Sequence, residues 1–153
     1  MMKQAIIILF VCVPFLLGSC SKKSGGSRGR GPEGEIYRLG LAKCEASKAA
    51  DLNKLLDLTH PKLRKSIESN MYGTAREWVE GEMRDNPDVY CKVGRTYETA
   101  CGESLKKNLA EIGIVPEKCG VIEEHFKNVK SKDEAMQEIS VFYVEGKWSL
   151  SGI

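Results

Sequence analysis

The residues of this chain best able to do chemistry are its cysteines, its two histidines and a short acidic stretch around Glu123. Residues two apart on a strand share a face, so Glu123 and His125 could form an acid–base couple or part of a metal site. A third ligand or an orienting partner has no evident place in the sequence, and charged pairs on strands usually make solvated faces. His60 stands directly before Pro61, a helix-start position where its expected role is to fill or cap the turn. The chain holds no Cys-x-x-Cys and no HExxH. Zinc and thioredoxin-like redox chemistries therefore lack their residues. No catalytic residue, metal or cofactor is expected, and the chain reads as a binding protein before an enzyme.

The six cysteines divide by position. Met1-Met2-Lys3-Gln4 precedes an apolar run from Ala5 to Leu17, and Gly18-Ser19-Cys20 follows. A short positive start, an apolar segment of about 13 residues and a small-residue cleavage site are the three parts of a secretory signal. Crossing a bilayer takes about 20 apolar residues. This run is shorter, and Pro14 interrupts it at a cost of about 3 kcal/mol in a helix interior.

Leu17-Gly18-Ser19-Cys20 resembles the bacterial lipobox. The resemblance implies that the Cys20 thiol receives a diacylglyceryl group, that residues 1–19 are cut away, and that the new amine is acylated. Two or more acyl chains anchor stably where one does not, so the expected partner is a membrane, held through covalent lipid. Ser21 stands where an aspartate would favour inner-membrane retention. By the same resemblance, the outer membrane facing the periplasm is favoured in a Gram-negative host.

Cys12 leaves with the signal and Cys20 takes the lipid. Cys44, Cys91, Cys101 and Cys119 remain, an even set in an oxidising compartment, which favours two disulfides. Three pairings are possible. Cys101 with Cys119 closes a short loop worth about 3 kcal/mol, and that choice leaves Cys44 with Cys91. Residues 20–33 form the lipidated cysteine and a flexible tether rich in Gly, Ser and Arg, with too little apolar surface to fold. Its 12 residues from Ser21 to Pro32 reach about 20 Å. Lys22, Lys23, Arg28 and Arg30 make it basic, whereas the rest of the mature chain carries a formal charge of about −3. Nucleic acid is an unsuitable partner for an exported, mildly acidic domain. Anionic headgroups near the tether add about 1 kcal/mol per basic residue.

Residues 34–153 read as one α+β domain. Tyr37, Leu41 and Cys44 recur at helical spacing, giving a first helix to about Ala50. Asp51 is a fair N-cap for a second helix with Leu52, Leu55 and Leu56. Pro61 opens a third, with a stripe of Leu63, Ile67 and Met71. Thr74-Ala75-Arg76-Glu77 has the form of a capping box and opens a fourth, with Trp78, Val79 and Met83, ending by Pro87. From Asp88 to Ala100 the helical and strand periods fit equally. Leu105, Leu109 and Ile112 mark another helix, with Gly113 at C′. Candidate strands follow at Cys119–Val129, Glu134–Val144 and Lys147–Gly152. A two-residue Glu145-Gly146 turn would set Tyr143 opposite Trp148 and Val141 opposite Leu150, with Ile139 on that face. Trp78, Trp148, Tyr143 and Phe142 are expected in the core, or lining a cavity.

Helices followed by an antiparallel sheet ending in Val144-Glu145-Gly146-Lys147-Trp148-Ser149-Leu150 is similar to the NTF2-like or cystatin-like α+β domains. Asp51-Leu52-Asn53-Lys54-Leu55-Leu56-Asp57-Leu58-Thr59-His60-Pro61 resembles the segment those proteins carry after their first helix. The family implies N-terminal helices packed on a curved C-terminal antiparallel sheet, often with a cavity between them. The chain departs from it between Cys91 and Cys119, where a helix stands in place of further strand. Some members are isomerases or hydrolases, but none of their catalytic motifs matches here, so no catalytic residue carries over. The functions this leaves open are a non-catalytic module for binding or assembly with an envelope protein, a small-ligand carrier or enzyme with an internal pocket, and an inhibitor of an envelope-directed enzyme. Palmitate labelling of the chain is expected in cells and is expected to be lost in Cys20→Ala; undiminished labelling of that variant would overturn the lipid assignment.

Overall fold

The structure, a computed structural model, describes residues 32–71 and 73–153. The signal segment, Cys20 and the tether up to Gly31 lie outside the described residues. Four helices come first: α1 (Pro32–Lys48), α2 (Leu52–Asp57), α3 (Pro61–Asn70) and α4 (Thr74–Asp85). Strand β1 (Asp88–Thr99), helix α5 (Glu103–Glu111) and strands β2 (Lys118–Asn128), β3 (Ala135–Val144) and β4 (Lys147–Leu150) complete the order. The four strands make one antiparallel sheet, ordered β1-β2-β3-β4. The sheet curls into a half-barrel, and the N-terminal helices pack against it. Among the described residues no helix is long and apolar enough to cross a membrane.

Local signals place most of the boundaries. The Asp51 side chain accepts from the Lys54 backbone N–H at 3.0 Å and caps α2. His60 Nδ1 accepts from the Lys62 N–H at 3.2 Å and caps α3, with Pro61 in its first turn. Gly113 takes φ +71° directly after α5, the left-handed conformation that stops a helix. The β3–β4 hairpin turns through Glu145 and Gly146 at φ 52° and 80°. It sets Tyr143 opposite Trp148 and Val141 opposite Leu150.

Three sequence expectations shift. The Thr74 capping box gives way to Gly73, which takes φ 55° and serves as N-cap without a side-chain hydrogen bond; a residue free to adopt positive φ starts the helix one position early. On α1 the inward face runs through Ile36, Leu39, Gly40 and Cys44, while Leu41 turns outward. The helix meets the sheet at Gly40, where an added Cβ would stand 2.9 Å from Val93, and this close approach sets the rotation. Trp78 is 67 % exposed instead of buried, whereas Phe142 and Trp148 are core.

The stretch from Asp88 resolves as strand, because β1 pairs with β2 along its length and packs under α1. Its alternation is not regular. A register shift between Val93 and Thr96 buries both of those residues and turns Arg95 out to solvent. An extra residue in one strand flips every side chain after it, which a simple period of two does not foresee.

The main core joins Ile36 and Leu39 of α1 to Val93, Ile122, Val141 and Leu150 of the sheet. Each such burial is worth about 1.5–3 kcal/mol. A second cluster seats Leu109 and Ile114 against Cys119 and Phe142. Disulfides Cys44–Cys91 and Cys101–Cys119 bind α1 to β1 and the loop before α5 to β2. Their sequence separations of 47 and 18 residues correspond to about 4 and 3 kcal/mol of loop-closure entropy. Two such bonds suit an oxidising, extracytoplasmic compartment.

Candidate functional site

Alternation along β2 points Gly120, Ile122 and Glu124 toward the helices, and Glu123 and His125 to the opposite face. A glutamate thus falls on the apolar side of a strand, where its carboxylate is fully buried. Lys43 of α1 meets it, with Nζ 2.8 Å and 3.0 Å from the two carboxylate oxygens. Gln137, the direct cross-strand neighbour on β3, donates to Oε1 at 2.8 Å. The Cys44 sulfur lies 3.8 Å from Oε2. One carboxylate therefore gathers α1, β2 and β3 around itself. Removing an ion from water costs several kcal/mol, and only close pairing with further hydrogen bonds offsets that.

The sulfurs of Cys44 and Cys91 and the Glu124 carboxylate lie within 4.8 Å of one another. Metal ligation needs thiolates, and the disulfide consumes both sulfurs, so this trio is not a metal centre in the oxidised protein.

Beside the ion pair a cavity of about 300 Å³ opens between the C-terminal part of α1, α2, α4 and the start of β1. Leu52, Leu55, Val79, Ile153 and the methionines Met71 and Met83 make its apolar wall. Lys43, Ser47, Asn86 and Asp88 supply polar groups. Lys43 and Ser47 are four apart on α1 and so project from one helix face. Partial burial holds the Asp88 carboxyl above its ordinary range, a shift opposed by the nearby Lys43 ammonium and reinforced by the Glu124 charge.

The sheet's other face carries the pair singled out by the sequence. His125 Nε2 sits 3.1 Å from Glu123, and its Nδ1 sits 3.0 Å from Glu134 just before β3. Arg95 reaches the second Glu123 oxygen at 3.0 Å. Hydrogen bonds from His125 and Arg95 hold the Glu123 carboxyl below its ordinary range. The two side chains lean over Gly94, where an added Cβ would stand 2.7 Å from Glu123 Oε1. Glu123 and His125 are thus brought together, with the partners that sequence could not locate. They form an open ion network on the sheet surface, remote from the cavity. His60 is buried as a helix cap.

Lys43, Glu124, Gln137 and Asp88 escaped the sequence reading. The signal was present at one of them: a charged Glu124 between apolar Ile122 and Phe126 on the same strand face. Comparison with protein-family models, with curated proteins and with solved structures finds no match.

Removal of the Lys43 ammonium leaves Glu124 buried without its charge partner. Lys43→Met is expected to lower unfolding stability by about 3–5 kcal/mol, and the double variant Lys43→Met/Glu124→Leu to recover most of it, as read by urea denaturation. Asp88 should behave in the opposite sense. An acid raised on folding contributes stability while protonated, fully below the unfolded value near 3.8, and loses it as pH rises through the folded value. Asp88→Asn is therefore expected to stabilise the protein at pH 7, by less than about 1 kcal/mol after solvent screening, with the gain vanishing below the unfolded value in a pH series of thermal melts.

Proposed function

We propose that this chain is an extracytoplasmic binding protein, tethered to a membrane by lipid on Cys20, that takes a small ligand into the cavity among α1, α2, α4 and the start of β1. The observation that carries the reading is the cavity itself, about 300 Å³, with an apolar wall and a few polar groups gathered at Lys43 and Asp88. Ligand sites have this character: concave, mostly apolar, with a small number of polar groups fixing orientation. The helix-then-sheet order supports assignment to the NTF2-like or cystatin-like domains. Lipid on Cys20 would hold the domain at that membrane, facing the periplasm if the host is Gram-negative.

The second reading is a module that docks an envelope protein. Trp78 favours it, being 67 % exposed on α4, since exposed tryptophans are enriched where proteins bind one another.

Met71 and Met83 line the cavity while Met136 lies exposed on β3, so methionine methyl NMR distinguishes occupancy from general partitioning. Titration of the full mature chain, held in lipid nanodiscs, with octanol is expected to shift the Met71 and Met83 signals and spare Met136. Ser47→Phe, which places a ring in the cavity, is expected to abolish those shifts. Shifts absent in the native protein, or undiminished in Ser47→Phe, would refute the small-ligand reading and leave protein docking in its place.

A further inference from the structure

The polar groups of the cavity are unequally satisfied, and the imbalance selects a ligand. Lys43 directs its ammonium at both oxygens of Glu124, and Gln137 adds a third donor to the same carboxylate. That cluster is electrically neutral and its carboxylate is saturated with donors. Asp88 is different. It lines the cavity, and no side chain among the described residues donates to it or pairs with it. The Lys43 and Glu124 charges act on it from nearby in opposite senses. With one ammonium and two carboxylates, the polar end of the cavity carries a formal charge of −1. Asn86, also at the wall, has its Oδ1 buried without a hydrogen-bond partner among the described residues, while its amide nitrogen donates to Glu82.

An unpartnered carboxylate beside apolar surface is costly to keep. A ligand that brings a positive charge and several N–H donors would relieve this, and a ligand that brings an anion would not. An anion would have to compete with Glu124 for the Lys43 ammonium while standing near the Asp88 charge. The apolar wall sets the other half of the ligand. At about 30 Å³ per small group, a cavity of about 300 Å³ holds on the order of ten non-hydrogen atoms. Two methionines in that wall can repack around unbranched or branched chains alike.

We infer that the cavity binds a small cationic amphiphile, a protonated amine on an apolar body of about ten heavy atoms, with the ammonium seated against Asp88 and the body among Leu55, Met71, Val79 and Met83. The inference rests on the small-ligand reading above and assigns its ligand class. Asp88 is the residue that sets specificity, and Lys43 keeps Glu124 from competing for the amine.

Three chain-matched probes test it: octylamine, octanol and octanoate, titrated into the full mature chain in nanodiscs of uncharged lipid, with Met71 and Met83 methyl shifts as the readout. Octylamine is expected to bind about tenfold more tightly than octanoate, as a partly desolvated ion pair would give, with octanol between them. Asp88→Asn, an isosteric change, is expected to keep octanol binding and to bring amine and alcohol to similar affinity. Binding of all three without preference for the amine, or a preference unchanged in Asp88→Asn, would overturn the ligand class and leave the cavity reading standing. If none of the three moves the Met71 and Met83 signals, both fall.

Discussion

The buried carboxylate of Glu124 is the constraint on which the rest of this structure depends. It sits among apolar residues with no exposure to solvent, so its partners have to arrive from other elements and stay. Lys43 comes from α1 and Gln137 from β3. The disulfide from Cys44 to Cys91 ties the same turn of α1 to β1, next to that carboxylate. Helix α1 is thus fixed to β2 by a charge pair and to β1 by a covalent bond within one turn, while the Gln137 amide ties the same carboxylate to β3. The apolar contacts near its other end, Ile36 and Leu39 on the sheet, then have a defined register. A buried ion pair is weak evidence for net stability, but it restricts geometry strongly, because only one docking of α1 satisfies it.

The cavity follows from that docking. The C-terminal part of α1, with Lys43 and Ser47, lines it together with α2, α4 and the beginning of β1. Helix α4 presents Val79 and Met83 inward and Trp78 outward, so it acts as a wall more than as core. The site divides its labour accordingly. Rigid groups held by the ion pair stand on one side, and adaptable methionines stand on the other. Local stability in such a region is expected to be lower than in the sheet, which suits a wall that must accommodate a ligand.

The two faces of β2 show why chemistry read from spacing alone misplaced the emphasis. Glu123 and His125 share a face, as alternation requires, but it is the outer face, where Arg95 and Glu134 complete an open ion network. The neighbour between them, Glu124, points inward and does the more demanding work. Alternation could have flagged it as a charge on the apolar side of a strand. Nothing in that pattern says that Lys43, 81 residues earlier, would stand across from it, nor that Asp88 would be left without a side-chain partner among the described residues.

Much of the architecture was legible from short-range chemistry. The caps at Asp51 and His60, the stop at Gly113, the Glu145-Gly146 turn and the hairpin register each follow from local dihedral preferences and from periodicity. The even set of four cysteines pointed to two disulfides, and the structure selects Cys44–Cys91 and Cys101–Cys119 among the three possible pairings. The same local rules were silent or wrong wherever distant surfaces meet. The strand at Asp88–Thr99 needed β2 beside it to win over a helix of equal period, and its bulge reversed the face of Arg95. The rotation of α1 was set by close approach at Gly40, and the exposure of Trp78 by what α4 does not touch. The cavity and its uneven charges belong to this second group. They arise because burial and electrostatics depend on which groups face each other in space, and those neighbours are dozens of residues apart along the chain.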